Sequence, residues 1–135
     1  MYDEKYYDDI VNFLERVPSL DEVDKDILEN SIISLDNDNK IQGVISYEPF
    51  GYDALIRYFI YHKKTPPEDI KGLVETLIEA LTKEEYQRII SVVQRRDMKD
   101  FFKSVGFIEN DAKNFFLDEE ELIFDDVTKI MVKKN

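Results

Sequence analysis

The chain has 135 residues, 43% of them apolar, and 18 Lys and Arg against 30 Asp and Glu give it a formal net charge of −12. Because nucleic acids and anionic membrane surfaces are bound through basic side chains, this charge argues against both as partners. The lack of Cys and the single His exclude disulfides and the usual zinc sites, so no metal site is predicted. We expect residues 1–135 to form one domain. The acidic N-terminus does not resemble a secretory signal, which predicts a cytoplasmic protein.

The first thirty residues predict two short helices. Apolar residues recur at helical spacing from Tyr6 to Val17, and Pro18 ends that pattern. Ser19 and Glu22 stand at the spacing of a capping box. The apolar residues that follow therefore predict a second short helix.

The period then changes to that of β-strands. Ser31 to Leu35 is a short apolar run, Asp36 to Lys40 is rich in turn residues, and alternation begins at Ile41, which together predict a hairpin. The run from Ala54 to Tyr61 is almost entirely apolar or aromatic. Such a run is typical of a central strand that is covered on both faces.

One charged residue, Arg57, interrupts that central strand. A guanidinium group in an apolar strand needs a partner, because burying it alone is costly. If this face of the strand lines a cleft, Arg57 binds an anionic substrate. Otherwise we expect it to pair with an acid such as Glu48.

The clearest helical pattern follows the central strand. Thr65 predicts an N-cap, Pro66 the first helical position and Glu68 the partner of a capping box. The apolar stripe behind them consists of Ile70, Leu73, Val74, Leu77, Ile78 and Leu81. Arg88 to Val93 is β-branched and predicts a strand, which the crossover helix makes parallel to the central one.

The C-terminal third predicts one more helix and two closing strands. The helix covers Met98 to Val105 and is ended by Gly106 as a C′ glycine. The strands are predicted at Phe115 to Leu117 and at Val127 to Val132. The element order is therefore α-α-β-β-β-α-β-α-β-β, an α/β fold with a mixed sheet and helices on both faces.

This order, together with three segments, resembles the GNAT superfamily of N-acetyltransferases. Asp97 to Phe107, DMKDFFKSVGF, resembles the family's helix that ends in Tyr-x-x-x-Gly-Phe. Pro66-x-x-Asp69-x-x-Gly72-x-Val74 resembles the Pro-x-x-Arg/Gln-x-x-Gly-x-Gly/Ala segment that binds the pyrophosphate of coenzyme A. The tail VTKIMVKKN is similar to the family's last strand, so the resemblance covers most of the chain from Ser31 onward. It implies a GNAT-like acyl-CoA N-acyltransferase fold.

The chain also departs from the family's pattern. Asp69 stands at the Arg/Gln position and Val74 at the position of the last small residue, which makes the acetyl-CoA pyrophosphate motif an eroded one. Phe102 stands where members often carry a Tyr that protonates the leaving thiolate, and phenylalanine has no proton to give. Arg95 falls where an Asn commonly contacts the pantetheine arm.

The resemblance leaves two functions open. The first is an N-acetyltransferase, fully active or catalytically impaired, that transfers an acyl group from acyl-CoA to an amine and uses acetyl-CoA as cofactor. The alternative is a non-catalytic GNAT-like binding or interaction module that has lost coenzyme A binding. The resemblance makes Glu48, His62 and Asp53 candidate bases. It makes Ile60, His62, Lys64, Lys71, Gly72 and Arg95 candidate cofactor-binding residues.

Two acidic segments bear on the partner. Met1 to Asn30 holds ten acids and three bases, a net of −7, and Asp118 to Asp126 holds six acids and no base. If both line one opening, they would attract a cationic amine or a basic protein substrate. If they face bulk solvent on different sides, they serve solubility only.

Overall fold

The computed structural model describes residues 4–20, 22–111 and 128–135. Within these ranges the helices are α1 (Tyr7–Glu15), α2 (Pro67–Lys83) and α3 (Arg96–Ser104), and the strands are β1 (Ser31–Leu35), β2 (Ile41–Phe50), β3 (Asp53–Tyr61), β4 (Arg88–Val93), β5 (Ile108–Asp111) and β6 (Lys129–Lys134). Two single-turn 3-10 helices cover Glu4–Tyr6 and Lys25–Ile27. None of the helices in these ranges has the length and apolar character needed to cross a bilayer.

The six strands form one mixed sheet in the order β1-β2-β3-β4-β6-β5. β1 and β2 are antiparallel, with Ser31 opposite Ser46. β3 and β4 are parallel, with Asp53 opposite Arg88, and α2 provides the crossover between them. β6 is antiparallel to both β4 and β5. The predicted hairpin, the predicted parallel pair and the predicted α/β mixed sheet are therefore confirmed.

By its internal contacts the chain divides into two units, one of Met1–Glu48 with Ile56–Ala80 and one of Pro49–Leu55 with Leu81–Asn135. In the first unit Ile10 and Leu14, the inner stripe of α1, are fully buried. They pack with Val44 of β2 and Tyr58 of β3 in one apolar cluster. The alternating residues of β2 predicted two faces, and the structure buries both of them from Ile41 to Tyr47. That the whole chain acts as one domain stays a prediction.

The second unit has its own small core. Ile90 of β4 packs with Ile130 and Val132 of β6, and Leu55 of β3 contacts this cluster. Burial of these side chains removes apolar surface from water, which is the main favourable term in folding. The core thus lies along the strands that the sequence identified by their β-branched residues.

The predicted second helix is wrong. Ser19 and Glu22 do not begin a helix, and a single 3-10 turn, Lys25–Ile27, takes its place. Asp24 is the reason: its backbone is extended, its amide donates to the hydroxyl of Tyr58 at 2.8 Å, and its carboxylate accepts from the amide of Asp26 at 3.1 Å. These contacts hold Asp24 outside the helical region.

The closing strands also differ from the prediction. The predicted strand at Phe115 to Leu117 lies outside the described residues. The structure places β5 at Ile108–Asp111, which the sequence did not reveal because all four residues are exposed and carry no apolar period. β6 begins at Lys129, and Val127, the predicted start, lies outside the described residues.

The end of α3 is confirmed in detail. The amide of Phe107 donates to the carbonyl of Phe102 at 3.0 Å, and the amide of Gly106 donates to that of Lys103 at 3.1 Å. These two bonds form the Schellman motif. Gly106 has φ of +99°, which side chains with a Cβ rarely adopt.

Replacing Gly106 by Ala should lower the free energy of unfolding by about 1–2 kcal/mol, because Cβ crowds the backbone at positive φ. Gly72 of α2 is the matched control. A Cβ there would have no heavy atom of the described residues within 4 Å beyond its own surroundings in the helix. Gly72→Ala should therefore raise the free energy by about 0.5–1 kcal/mol, because Ala favours helix. Urea denaturation measures both, and a change of the same sign in both variants would contradict the backbone assigned here.

Candidate functional site

The turn between β3 and α2 is the candidate site. The amide of His62 donates to the carbonyl of Gln42 on β2 at 2.9 Å, and the amide of Thr65 donates to the carbonyl of His62 at 3.0 Å. A cavity of about 320 Å³ lies beside this turn. Its walls come from the turn, the first turn of α2 and the β1–β2 hairpin, with Lys64 and Asp69 among the lining residues.

α2 begins at Pro67, so the prediction of Pro66 as first helical residue is wrong by one position. Thr65 is buried, and its hydroxyl donates to the carbonyl of Gln42 at 3.4 Å instead of lying at the N-cap. The carbonyl of Pro66 occupies the cap position and accepts from the amides of Asp69 and Ile70 at 2.9 and 3.2 Å. Because Thr65 is hydrogen-bonded to β2, it does not take the N-cap position, and the helix starts one residue later than predicted.

This start offers few backbone donors to an anion. Pro66 and Pro67 have no N–H group, and the amides of Asp69 and Ile70 already donate to Pro66. The amide of Glu68, at the second helical position, has no acceptor within the helix and can donate to a ligand. The positive end of the helix dipole remains, because it arises from the aligned peptide groups.

The candidate cofactor-binding residues of this segment are placed as follows. Lys64 is exposed and lines the 320 Å³ cavity. Lys71 is exposed one turn further on, with its Nζ 3.7 Å from Oε1 of Glu75. Gly72 leaves open space beside the helix. Ile60 is part-buried on β3 and packs against the apolar cluster of the first unit.

The three candidate bases have different surroundings. His62 is exposed, and its ring lies edge-on to that of Phe13 with the centroids 5.2 Å apart. Glu48 is bonded to the guanidinium of Arg57. This confirms the expectation that Arg57 pairs with Glu48. Asp53 is buried, and its carboxylate accepts two hydrogen bonds from Arg88.

The contact of Asp53 with Arg88 is bidentate. The Nε–Oδ1 and Nη2–Oδ2 distances are 3.0 and 2.6 Å. The hydrogen bond that Arg88 donates to Asp53 raises the pKa of Arg88, and burial acts in the opposite direction. Asp53 is thereby engaged in pinning the first residues of β3 to those of β4.

Arg95 and Phe102 belong to the second unit. Arg95 stands at the N-cap of α3, and its guanidinium donates to the carboxylate of Asp97 at 3.1 and 2.5 Å. That contact lowers the pKa of Asp97, chiefly through the hydrogen bond from Arg95. Phe102 is 1% exposed, with its ring centroid 4.9 Å from that of Phe107. Phe102 is therefore a core residue with no proton to donate.

Sequence reasoning missed Gln42. This residue lies on β2, is 7% exposed, and donates from Nε2 to Oδ2 of Asp69 at 3.1 Å. The available signal was an isolated amide side chain among the apolar and small residues of β2. Spacing alone does not say which distant residue such an amide will bind.

A second cavity in the first unit is acid-lined. It has a volume of about 790 Å³. Its walls are the end of α1, the loop that precedes β1, and strand β3 itself. Its charged lining residues are Glu15, Glu22, Asp24 and Asp26 with Lys25 and Arg57. The acidic run Asp118 to Asp126 lies outside the described residues. Nowhere in residues 4–20, 22–111 and 128–135 do three His, Asp or Glu side chains gather as metal ligands would.

No family model and no curated protein matches the sequence. Solved structures do. The chain is similar to a GNAT-family acetyltransferase from Staphylococcus aureus, with 13% identity, a TM-score of 0.71, and 98% of this chain and 95% of that chain covered. It is similar to Rv2747 from Mycobacterium tuberculosis in complex with CoA and NLQ, with 15% identity, a TM-score of 0.71, and coverages of 97% and 95%.

It is also similar to the PaiA N-acetyltransferase from Thermoplasma acidophilum in complex with coenzyme A. Here the identity is 18%, the TM-score is 0.62, and the alignment covers 100% of this chain and 81% of that chain. At these identities the likeness concerns the fold. Since it extends over almost the whole chain, this protein has the fold of the GNAT acetyltransferases.

Proposed function

We propose that this chain is a GNAT-type N-acyltransferase, which transfers an acyl group from acetyl-CoA or another acyl-CoA to an amine. The observation that carries the proposal is Gly72, a glycine within a helix, where no packing contact of residues 4–20, 22–111 and 128–135 would be disturbed by a side chain. Glycine costs about 1 kcal/mol there relative to alanine. The open space beside Gly72 lies about one turn into α2. Two structures of similar fold, from Mycobacterium tuberculosis and Thermoplasma acidophilum, were solved with coenzyme A.

The residues around this helix start fit a diphosphate in part. Lys64 is an exposed cation at the turn, and the open side of Gly72 permits close approach to the backbone. Glu68 and Asp69 oppose an anion, at about 1 kcal/mol for unit charges ~4 Å apart in water. In the proposed site Lys64 and Lys71 hold the phosphates and Ile60 contributes its backbone. A contact of Arg95, which belongs to the second unit, with the pantetheine arm stays a prediction of the resemblance.

Acyl-CoA supplies the acyl group as a thioester. The attacking amine must lose a proton as the new C–N bond forms, and the departing sulfur must gain one, so a base that takes the first can return the second. We assign the base to His62, since Glu48 is already bound to Arg57. Phe102 has no proton to give, so protonation of the sulfur falls to the charged base or to water.

The alternative is a non-catalytic GNAT-like module without coenzyme A binding. Two observations favour it. The helix start has two prolines and two amides already bonded to Pro66, and the position of the leaving-group Tyr is the buried Phe102. Such a module would keep the fold and use another surface for binding.

Calorimetric titration with acetyl-CoA separates the two functions. We expect a micromolar Kd. Lys64→Ala should weaken binding roughly fivefold through the loss of one nearby cation, whereas Lys83→Ala, at the far end of α2, should not change it. Gly72→Gln should stabilise the helix and still weaken binding by about tenfold, because the side chain fills the open side. No binding by the unaltered chain at millimolar acetyl-CoA would overturn the proposal.

For the acceptor we propose a cationic amine or a basic protein segment, bound at the acid-lined cavity of about 790 Å³. Four carboxylates against Lys25 and Arg57 give its lining an excess of negative charge, which raises the local concentration of cations. We further propose that this reaction takes place in the cytoplasm, as the lack of Cys suggests.

Neutralising this cavity with Glu22→Gln and Asp26→Asn should weaken spermine binding several-fold at low salt. The difference should shrink as ionic strength passes 0.15 M, where the Debye length is ~8 Å. Glu75→Gln combined with Glu79→Gln, both on the exposed face of α2, is the control of equal charge change and should have no effect. If the cavity variant binds spermine with unchanged affinity at low salt, the acids serve solubility alone.

A further inference from the structure

Asp69 stands at the start of α2, where its charge would be expected to repel a phosphate. The structure gives this carboxylate a partner, because Nε2 of Gln42 lies 3.1 Å from its Oδ2. Gln42 is 7% exposed, and the bond is partly shielded from water. A hydrogen bond to a charged group in such surroundings is stronger than one between neutral groups.

Gln42 makes four further contacts. Its Nε2 also donates to Oγ of Ser34 at 2.9 Å and, at 3.4 Å, to the carbonyl of Leu35. Its own carbonyl accepts from the amide of His62 at 2.9 Å and from the hydroxyl of Thr65 at 3.4 Å. One residue thus joins β1, the turn after β3 and the first turn of α2.

We infer that Gln42 is a positioning residue, which holds the segment His62–Ile70 in place from β2 and anchors the carboxylate of Asp69. The two ends of the segment are held by different parts of Gln42. Its backbone carbonyl accepts from His62 and Thr65, and its side-chain amide donates to Asp69. A segment held at both ends is preorganised, so a ligand need not order it on binding.

The consequence for ligand binding rests on the proposed function. If coenzyme A binds at this turn, loss of the Gln42 side chain weakens it in two ways. The end of the segment at Asp69 becomes mobile and must be ordered again, and the Asp69 carboxylate loses the donor that offsets its charge. Gln42 itself touches no ligand in this scheme and acts through Asp69 and the turn.

Two variants of Asp69 isolate the hydrogen bond from the charge. Asp69→Asn and Asp69→Ala both remove the negative charge, but only Asn keeps an oxygen that can accept from Gln42. Native-state hydrogen exchange of the amides of His62, Thr65, Asp69 and Ile70 reports how firmly the segment is held. We expect the amides of Asp69 and Ile70 to exchange roughly tenfold faster in Asp69→Ala and in Gln42→Leu, and close to the unaltered chain in Asp69→Asn. The amides of His62 and Thr65 should change less, because the backbone carbonyl of Gln42 is present in all three variants.

Ser46→Ala is the matched control for Gln42→Leu. It also removes a buried side-chain hydrogen bond between β1 and β2, since Oγ of Ser46 lies 2.7 Å from Oγ of Ser31. Ser46→Ala should lower overall stability and leave exchange in His62–Ile70 unchanged relative to global unfolding. Asp69→Ala does not alter the core of β2, so the test stands even if Gln42→Leu does not fold.

Titration with coenzyme A gives the second readout. Gln42→Leu should weaken binding about tenfold, and Asp69→Asn should strengthen it severalfold by removing a repulsive charge. If the unaltered chain does not bind coenzyme A but Asp69→Ala still loosens the segment, the proposed function fails and the positioning role stands. Exchange in His62–Ile70 that is equal in Asp69→Ala and Asp69→Asn would overturn the positioning role, whatever the titration gives.

Discussion

The parallel pairing of β3 with β4 is the constraint on which the rest depends. Parallel neighbours cannot be joined by a tight turn, so the chain must leave the end of β3, form a crossover and return to the start of β4. That crossover is α2, and its N-terminus therefore follows β3 after a turn of only a few residues. The bidentate contact of Arg88 with Asp53 lies at the first residue pair of this register. The helix start and its candidate site are thus consequences of strand direction.

Sequence reasoning succeeded where a local rule decides the structure. Arg88–Val93 and Gly106 follow from β-branching and from the glycine requirement at positive φ, and both were predicted at the right residues. It failed where a distant partner decides. Asp24 is kept extended by Tyr58, 34 positions away, and Thr65 is drawn from the cap by Gln42, 23 positions away. No period or spacing within one segment contains that information.

The candidate site shows the same division. The turn before α2 could be located from the prolines, and Gly72 became a candidate through the family resemblance, whereas the open space beside it is seen only in the structure. What its acids do could not, because that depends on which groups face them. Glu48 is bound to Arg57, and Asp69 is bound to Gln42, so neither is a free carboxylate in the structure. Asp69, which stands at the Arg/Gln position of the family's segment, therefore changes both the charge at the helix start and the contact made there with Gln42.

The size of these effects decides what could abolish coenzyme A binding. Two unit charges ~4 Å from a phosphate oxygen cost about 1 kcal/mol each in water, which is about fivefold per charge. Glu68 and Asp69 together would therefore weaken a micromolar ligand to tens of micromolar, and the bond from Gln42 to Asp69 reduces that penalty. Complete loss of binding would need a larger cause. The structure offers one in the prolines and bonded amides of the helix start, because a phosphate there meets few N–H donors. Whether the chain binds coenzyme A therefore depends more on the number of free backbone N–H groups at the start of α2 than on the charges of Glu68 and Asp69.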